Sequence, residues 1–169
     1  KKKSEKGQVF TPDHITGFMY RLLNVNMDDK ILDACAGSGS FLVKAMSNMI
    51  REAGGVNTRK ARRIKQQQLY GIEFDREIFA LACANMLIHK DGKTNLTHLD
   101  ARTETAAEWM EATGATKVLM NPPYENKFGC MEIVENVLNS VNRGVMCGFI
   151  LPDKKLEKTS SGRMKRILR

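Results

Sequence analysis

Short apolar segments alternate along this chain with segments that have apolar residues at helical spacing. The short segments predict five strands, at residues 30–34, 69–74, 95–100, 117–121 and 144–151. The amphipathic segments, which predict helices, precede the first strand and separate the others. This alternation favours one α/β domain with a mostly parallel sheet and helices on both faces. Sheets of this kind bind their ligands at the carboxyl ends of the strands.

The helical segments differ in how clearly the sequence predicts them. The first has Thr11 and Pro12 as a cap and first-turn pair. Its predicted buried face consists of apolar residues at helical spacing, namely Ile15, Phe18, Met19, Leu22 and Leu23. Residues 57–68 are basic and lack such spacing, so we expect residues 55–68 to form a basic loop or a solvated extra turn.

Positive charge is concentrated in three segments of the 169-residue chain, whose formal net charge is +8. Residues 1–6, 59–65 and 154–169 have net charges of +3, +5 and +6, which leaves the rest of the chain at −6. Because clusters of Lys and Arg attract phosphates, this distribution indicates a polyanionic partner such as nucleic acid. The alternative is that these segments are solvated and only keep the protein soluble.

The sequence argues against a membrane, secreted or zinc-binding protein. No apolar run approaches the roughly 18 to 20 residues that cross a bilayer, and residues 1–4 lead into no apolar signal segment. The four cysteines form no C-x-x-C pair. We therefore expect no metal site, and reduced thiols in a cytoplasmic protein.

A glycine-rich turn follows the first predicted strand, with the sequence D-A-C-A-G-S-G at residues 33–39. Glycines let the backbone turn tightly and let a ligand approach closely. The spacing differs from the G-x-G-x-x-G of dinucleotide binders, and Asp33 would repel a pyrophosphate but suits a cationic amino group. The turn therefore predicts a nucleotide-like ligand, with tight strand–helix packing as the alternative.

Acidic residues end the second and third predicted strands. Glu73, within G-I-E-F-D at residues 71–75, is placed to accept two hydrogen bonds from a ribose diol, and Phe74 to lie against an adenine ring. We assign Asp75 to the N-cap of the next helix. Asp100 is a candidate acceptor for an adenine amine, or alternatively a turn residue.

Residues 121–124 have the sequence N-P-P-Y and follow the fourth predicted strand. Pro122 and Pro123 have no backbone N–H and hold the chain extended, which leaves carbonyl oxygens facing outward. Together with the side-chain carbonyl of Asn121 they offer two acceptors for one amine, such as the exocyclic amine of a base. Tyr124 adds a ring on which an extruded base could stack. The alternative is that two prolines simply end a strand.

These motifs, preceded by G-Q-V-F-T-P at residues 7–12, occur in an order that resembles the gamma-type N6-adenine DNA methyltransferases. The likeness extends over residues 7–156 and is greatest to modification subunits of type I restriction-modification systems and to related fused enzymes. It implies a Rossmann-like S-adenosylmethionine-dependent methyltransferase fold. It also implies methyl transfer from S-adenosylmethionine to N6 of adenine in DNA, with DNA and specificity and restriction subunits as partners.

The resemblance implies a cofactor role for ten residues, namely Phe10, Thr11, Pro12, Asp33, Gly37, Ser38, Gly39, Glu73, Phe74 and Asp100. In this assignment Thr11 would lie near the carboxylate of the cofactor and Asp33 would face its amino group. Glu73 would hold the ribose, Phe74 would lie along the adenine, and Asp100 would meet the adenine amine.

The catalytic residues that the resemblance implies are Asn121, Pro122 and Tyr124. Asn121 and the Pro122 carbonyl would hold the target N6, and Tyr124 would stack on the flipped base. The methyl group would be transferred directly, without a cysteine nucleophile. Two rival hypotheses are an N-P-P-Y methylase of a release-factor glutamine or of ribosomal RNA, and a non-catalytic DNA-binding or assembly module.

The resemblance also bears on the extent of the domain. It assigns residues 1–156 to the methyltransferase domain, with residues 1–6 as a basic N-terminal segment. In the family, two further strands and a specificity domain follow the fifth strand. We therefore expect residues 157–169 to begin a truncated C-terminal part, and this piece alone to bind cofactor weakly and to be weakly active or inactive.

Overall fold

A parallel sheet of five strands is the centre of the fold. The structure is a computed structural model that describes residues 11–89 and 95–167, apart from the side chain of Asn126. The strands are β1 (Ile31–Asp33), β2 (Leu69–Glu73), β3 (Asn95–His98), β4 (Lys117–Met120) and β5 (Met146–Phe149). Their order in the sheet is β3-β2-β1-β4-β5, and all four neighbouring pairs are parallel. The predicted α/β class and the position of every strand are confirmed.

Helices cover both faces of this sheet, as predicted. They are α1 (Asp13–Leu22), α2 (Ser40–Glu52), α3 (Arg59–Gln67), α4 (Arg76–Ile88), α5 (Glu104–Thr113), α6 (Cys130–Ser140), α7 (Asp153–Glu157) and α8 (Ser161–Ile167). In the described part of the chain, none of them is long and apolar enough to cross a membrane.

Two apolar cores lie on opposite sides of the sheet. Ile31 of β1 belongs to the core under α1, α2, α3 and α4, whereas the next residue, Leu32, belongs to the core under α5 and α6. Both are fully buried. Successive residues of a strand point to opposite faces, so burial on both sides explains why the central strands β1 and β4 are apolar runs rather than alternating patterns.

The basic segment is a helix, which corrects the prediction of a loop at residues 55–68. Helix α3 begins after Thr58, whose side chain accepts a hydrogen bond from the backbone N–H of Ala61. Ala61 and Ile64 are fully buried and lie three residues apart, on one face of the helix. These two buried residues dock a helix of nine residues, about two and a half turns, and Arg and Lys are good helix formers. This short apolar pattern is easily missed among basic residues.

The start of α1 also differs from the prediction. The helix begins at Asp13, Pro12 occupies the N-cap, and no side chain caps the N-terminus. Thr11 lies one residue before the cap, so its hydroxyl is not used to cap the helix.

The buried face of α1 is narrower than predicted. Met19 and Leu23 are buried, but Phe18 and Leu22 are 53% and 61% exposed. A Cβ added to Gly148 of β5 would lie 2.8 Å from Met19 Cε and 3.0 Å from Leu23 Cδ1. Helix α1 is therefore packed closely against β5 at a glycine, which holds the start of the helix and Thr11 near the carboxyl ends of the central strands.

Candidate active site

A cleft of about 240 Å³ opens where the strand order reverses, between β1 and β4. Asp33, Glu73 and Asn121, which end or follow β1, β2 and β4, all line it. The carboxyl ends of parallel strands at such a reversal are the usual ligand site of α/β sheets.

The glycine-rich turn forms one side of this cleft. Gly37 and Gly39 have φ of +54° and +82°, a conformation that glycine adopts without strain. The carbonyl of Ser38 accepts a hydrogen bond from Asn85 Nδ2 (2.9 Å), which ties the turn to α4. Gly37 and Ser38 line the cleft, whereas Gly39 does not and instead precedes the first turn of α2.

Asp33 is a buried carboxyl group with one unpartnered oxygen. Asp33 is one of the residues that line the cleft, although it is only 1% exposed. Oδ1 accepts a hydrogen bond from the backbone N–H of Cys35, and Oδ2 has no hydrogen-bond partner among the described residues. Burial raises the pKa of Asp33 from 3.8 to about 7, and the nearby Glu73 adds to the rise. A buried acid of this kind favours a cationic ligand group beside it.

The Glu73 carboxylate joins β2 to the glycine-rich turn. Its Oε2 accepts from the backbone N–H of Gly37 (2.9 Å) and its Oε1 from that of Asp75 (2.7 Å). Burial raises the pKa of Glu73, and these two backbone hydrogen bonds oppose the rise. A carboxylate has about four acceptor sites, so these backbone hydrogen bonds leave Glu73 with acceptor capacity, and its contact with a ribose stays a prediction. Phe74, beside Glu73, lines the cleft and is 55% exposed.

Two other acidic residues near the cleft differ in role. Asp75 is the N-cap of α4, as predicted, and accepts from the backbone N–H groups of Glu77 and Ile78. Asp100 lines the cleft but is bound by Arg102, whose Nε and Nη2 lie 2.8 and 2.6 Å from its two oxygens. The Arg102 guanidinium lowers the pKa of Asp100. Its contact with an adenine amine stays a prediction.

The N-P-P-Y segment places Asn121 in a hydrogen-bonded arrangement at the cleft wall. Asn121 Nδ2 donates to Thr11 Oγ1 (2.9 Å), and the Tyr124 hydroxyl donates to Asn121 Oδ1 (2.6 Å). The same hydroxyl lies 3.3 Å from the carbonyl oxygen of Ile150. Thr11 and Asn121 line the cleft together with Pro122 and Pro123.

Some predicted site residues are not among the described residues that line the cleft. Tyr124 and Pro12 are not among the cleft-lining residues, and stacking of Tyr124 on a base stays a prediction. Phe10 and the basic residues 1–6 lie outside the described residues.

The cleft also has an apolar wall that was not predicted from the sequence. It is formed by Phe41, Ile78, Leu99, Phe128 and Ile133. Phe128 belongs to a 3₁₀ turn, Asn126–Phe128, and the ammonium group of Lys127 lies 4.8 Å from the centre of its ring. The signal in the sequence was an aromatic residue four positions after Tyr124. No cluster of three or more metal-ligating side chains occurs in the residues that the structure describes.

The sequence profile of the family described as N-6 DNA Methylase matches residues 1–147. The chain belongs to this family. It is 42% identical over 118 residues to the type II restriction enzyme and methyltransferase RM.BcgI of Heyndrickxia coagulans. That match covers 70% of this chain but 18% of the relative, so the chain spans less than a fifth of its length. The predicted family is confirmed.

Solved structures share the fold of this N-6 DNA methylase chain. The M protein of the type I restriction enzyme EcoKI superimposes with a TM-score of 0.79 at 18% identity, over 98% of this chain and 38% of that one. An RNA methyltransferase from Salinibacter ruber, solved in complex with S-adenosyl-L-homocysteine, gives 0.59 at 18% identity, over 86% and 84% of the two chains. At this identity the comparison concerns the fold, and it confirms the predicted Rossmann-like methyltransferase fold.

Proposed function

We propose that this chain forms the S-adenosylmethionine-binding and methyl-transfer part of an enzyme that methylates N6 of adenine in DNA. One observation supports the proposal above the others. Asn121, at the end of β4, opens on the same cleft as the glycine-rich turn and Glu73 at the ends of β1 and β2. A methyl donor above β1 and β2 would therefore lie beside an amine held at β4.

The residues of the cleft fit S-adenosylmethionine. The unpartnered carboxylate oxygen of Asp33 suits the cationic amino group, and Glu73, which lines the same cleft, would accept from the ribose hydroxyls. Phe74 offers an exposed ring for the adenine, and the positive-φ turn at Gly37 leaves room for the ligand to approach. When bound, the cofactor supplies an electrophilic methyl group on its sulfonium.

The chain's own contribution to the reaction is to bind and orient the target amine. Asn121 Oδ1 and the Pro122 carbonyl would accept the two hydrogens of the amine, so that its lone pair points at the methyl group. Orientation and exclusion of water would provide most of the rate. Burial raises the pKa of the Cys35 and Cys130 thiols, which keeps them protonated and poorly nucleophilic, in keeping with direct transfer.

We further propose that DNA is the substrate and that specificity and restriction subunits or domains are the partners. Family membership supports the choice of DNA, and the names of RM.BcgI and the EcoKI M protein place those relatives in restriction systems. The surface has exposed basic residues for phosphates, including Arg59, Arg62 and Arg63 on α3.

A substrate competition tests this function. The complete protein is incubated with radiolabelled S-adenosylmethionine and with unmethylated DNA, ribosomal RNA or a release factor in separate reactions. We expect label in DNA, recovered as N6-methyladenine after digestion to nucleosides. Label in RNA or in the release factor instead of DNA would identify one of the rival methylases, and cofactor binding without transfer to any substrate would favour a scaffold.

The variant Glu73→Gln tests the proposed ribose contact. Glutamine keeps the volume but loses the charge and one acceptor oxygen, and with it one of the backbone hydrogen bonds from Gly37 or Asp75. Hydrogen bonds to charged groups contribute about 1.5–3 kcal/mol. We expect the Kd for S-adenosylmethionine to rise by at least about tenfold, measured by isothermal titration calorimetry. Glu108→Gln, at an exposed position of α5, is the matched control and should bind normally. Equal affinity of the two variants would count against the ribose role.

A further inference from the structure

We infer that the hydroxyl groups of Thr11 and Tyr124 are positioning groups that set the orientation of the Asn121 side-chain amide for methyl transfer. The inference rests on the proposed function and concerns how the acceptor for the target amine is kept in place. It assigns Thr11 a different task from the cofactor contact that the sequence predicts. For Tyr124 it adds a role of the hydroxyl to the predicted stacking of the ring.

Both ends of the Asn121 amide are held. Nδ2 donates to Thr11 Oγ1 at 2.9 Å, and Oδ1 accepts from the Tyr124 hydroxyl at 2.6 Å. An asparagine amide otherwise turns readily about its last side-chain bond, where two orientations half a turn apart are similar in energy. The two hydrogen bonds anchor the amide at both ends, which restricts rotation about this bond and fixes the plane of the amide and the position of Oδ1.

The orientation matters because the two ends of the amide have opposite hydrogen-bonding character. Oδ1 has two acceptor sites and Nδ2 has only donors. Tyr124 occupies one site of Oδ1, which leaves the other for a hydrogen of the target amine. A flipped amide would present N–H groups to that amine and repel it. The carbonyl oxygen of Ile150, 3.3 Å from the Tyr124 hydroxyl, is a longer acceptor for the same hydrogen and helps to hold the hydroxyl beside Oδ1.

The hydroxyl of Thr11 is available for this role because the fold places Thr11 beside Asn121 and the hydroxyl does not cap helix α1. Pro12 occupies the N-cap of α1, so the Thr11 hydroxyl is not used at the helix terminus. Helix α1 packs on β5 at Gly148, where a Cβ would meet Met19 Cε at 2.8 Å. This packing fixes the start of the helix beside the end of β4, and the resulting hydrogen bond joins residues 110 positions apart.

The variant Thr11→Val separates this role from a cofactor contact. Valine keeps the shape of threonine without the hydroxyl. We expect the single-turnover rate of methyl transfer to DNA to fall by about 10- to 100-fold, since small misplacements of a reacting group have effects of this size. The Kd for S-adenosylmethionine should be unchanged, and Thr11→Ser, which restores a hydroxyl, should recover most of the rate. A raised Kd with an unchanged rate for bound cofactor would overturn the inference in favour of the cofactor contact.

The variant Tyr124→Phe tests the second hydroxyl and does not depend on Thr11→Val being folded. Phenylalanine keeps the ring, so any stacking on a base is preserved, and we again expect a slower transfer step with unchanged cofactor affinity. Because both hydroxyl groups act on one amide, the rate of the double variant should fall below that of wild type by a factor smaller than the product of the two single factors. Independent, fully multiplicative effects would argue against a shared target.

The control for all variants is the wild-type protein in the same assay. If wild type transfers methyl groups to adenine and both hydroxyl variants match its rate, the positioning role is wrong while the proposed function stands. If wild type methylates no adenine in DNA, the proposed function itself fails. Melting temperatures recorded with and without S-adenosylmethionine identify a variant that has lost activity through unfolding.

Discussion

The variant Asn121→Ala should lower the rate of methyl transfer by about 100- to 1,000-fold while leaving cofactor affinity nearly unchanged. The expected size follows from active sites in which one preorganised hydrogen-bonding group is removed. An exocyclic amine is a weak nucleophile, because its lone pair is delocalised into the ring, and alanine would remove the acceptor that orients it. Single-turnover kinetics with the complete protein and unmethylated DNA measures the rate, and calorimetry measures the Kd for S-adenosylmethionine.

A matched control distinguishes this effect from general damage. Asn139, on an exposed part of α6, is the same residue type away from the cleft, and Asn139→Ala should leave both rate and affinity unchanged. The informative contrary result is a large loss of cofactor affinity in Asn121→Ala. That result would place Asn121 in the cofactor site rather than at the target amine.

The fold and the location of the cleft could be predicted because they depend on short-range patterns. Strands β1 and β4 are short apolar runs that lead into a polar residue, as in Leu32-Asp33 and Met120-Asn121. Parallel strands end at one edge of the sheet, so residues that follow them converge without any knowledge of packing. The family motifs added roles to positions that the strand pattern had already brought together.

The features that were missed depend on long-range packing. The hydrogen bond between Thr11 and Asn121 requires α1 to pack against β5 at Gly148, which no local pattern indicates. Helix α3 was mistaken for a loop because its docking depends on Ala61 and Ile64 alone within a strongly basic segment. The ion pair between Asp100 and Arg102 is local in sequence but was not predicted, because the position of Asp100 after a strand suggested a ligand contact instead.

The variant Asp33→Asn should weaken binding of S-adenosylmethionine by roughly 10- to 100-fold near neutral pH, since it removes a charge-assisted contact with the amino group. The residue is buried, and its Oδ2 has no partner in the described part of the chain, so the cation would satisfy it. Asparagine keeps the shape and can still accept from the backbone N–H of Cys35. Calorimetry measures the affinity, with Asp153→Asn on exposed α7 as the control.

The raised pKa of Asp33 also predicts how the affinity for S-adenosylmethionine changes with pH. The pKa of Asp33 is raised from 3.8 to about 7 in the folded protein without cofactor, and a bound cation lowers it again. Wild-type affinity should therefore increase between about pH 6 and about pH 7.5, with release of a proton on binding, while Asp33→Asn shows neither effect. Comparing calorimetric heats in two buffers of different ionisation enthalpy counts that proton.

The same carboxyl group should make the cofactor-free protein less stable as pH rises. The pKa of Asp33 is higher in the folded protein, about 7, than its ordinary value of 3.8. Protonated Asp33 therefore contributes its full stabilisation below about pH 4, and this contribution is lost as pH rises through about 7. The free energy of unfolding of Asp33→Asn should accordingly exceed that of wild type by more at pH 8 than at pH 5, in urea denaturation followed by circular dichroism. If Asp33→Asn binds S-adenosylmethionine more weakly but is more stable than wild type without it, the Asp33 carboxyl group serves ligand binding rather than stability. If the stability of wild type and its affinity for S-adenosylmethionine are both independent of pH between about pH 5 and pH 8, Asp33 does not bind the amino group as a buried acid with a raised pKa.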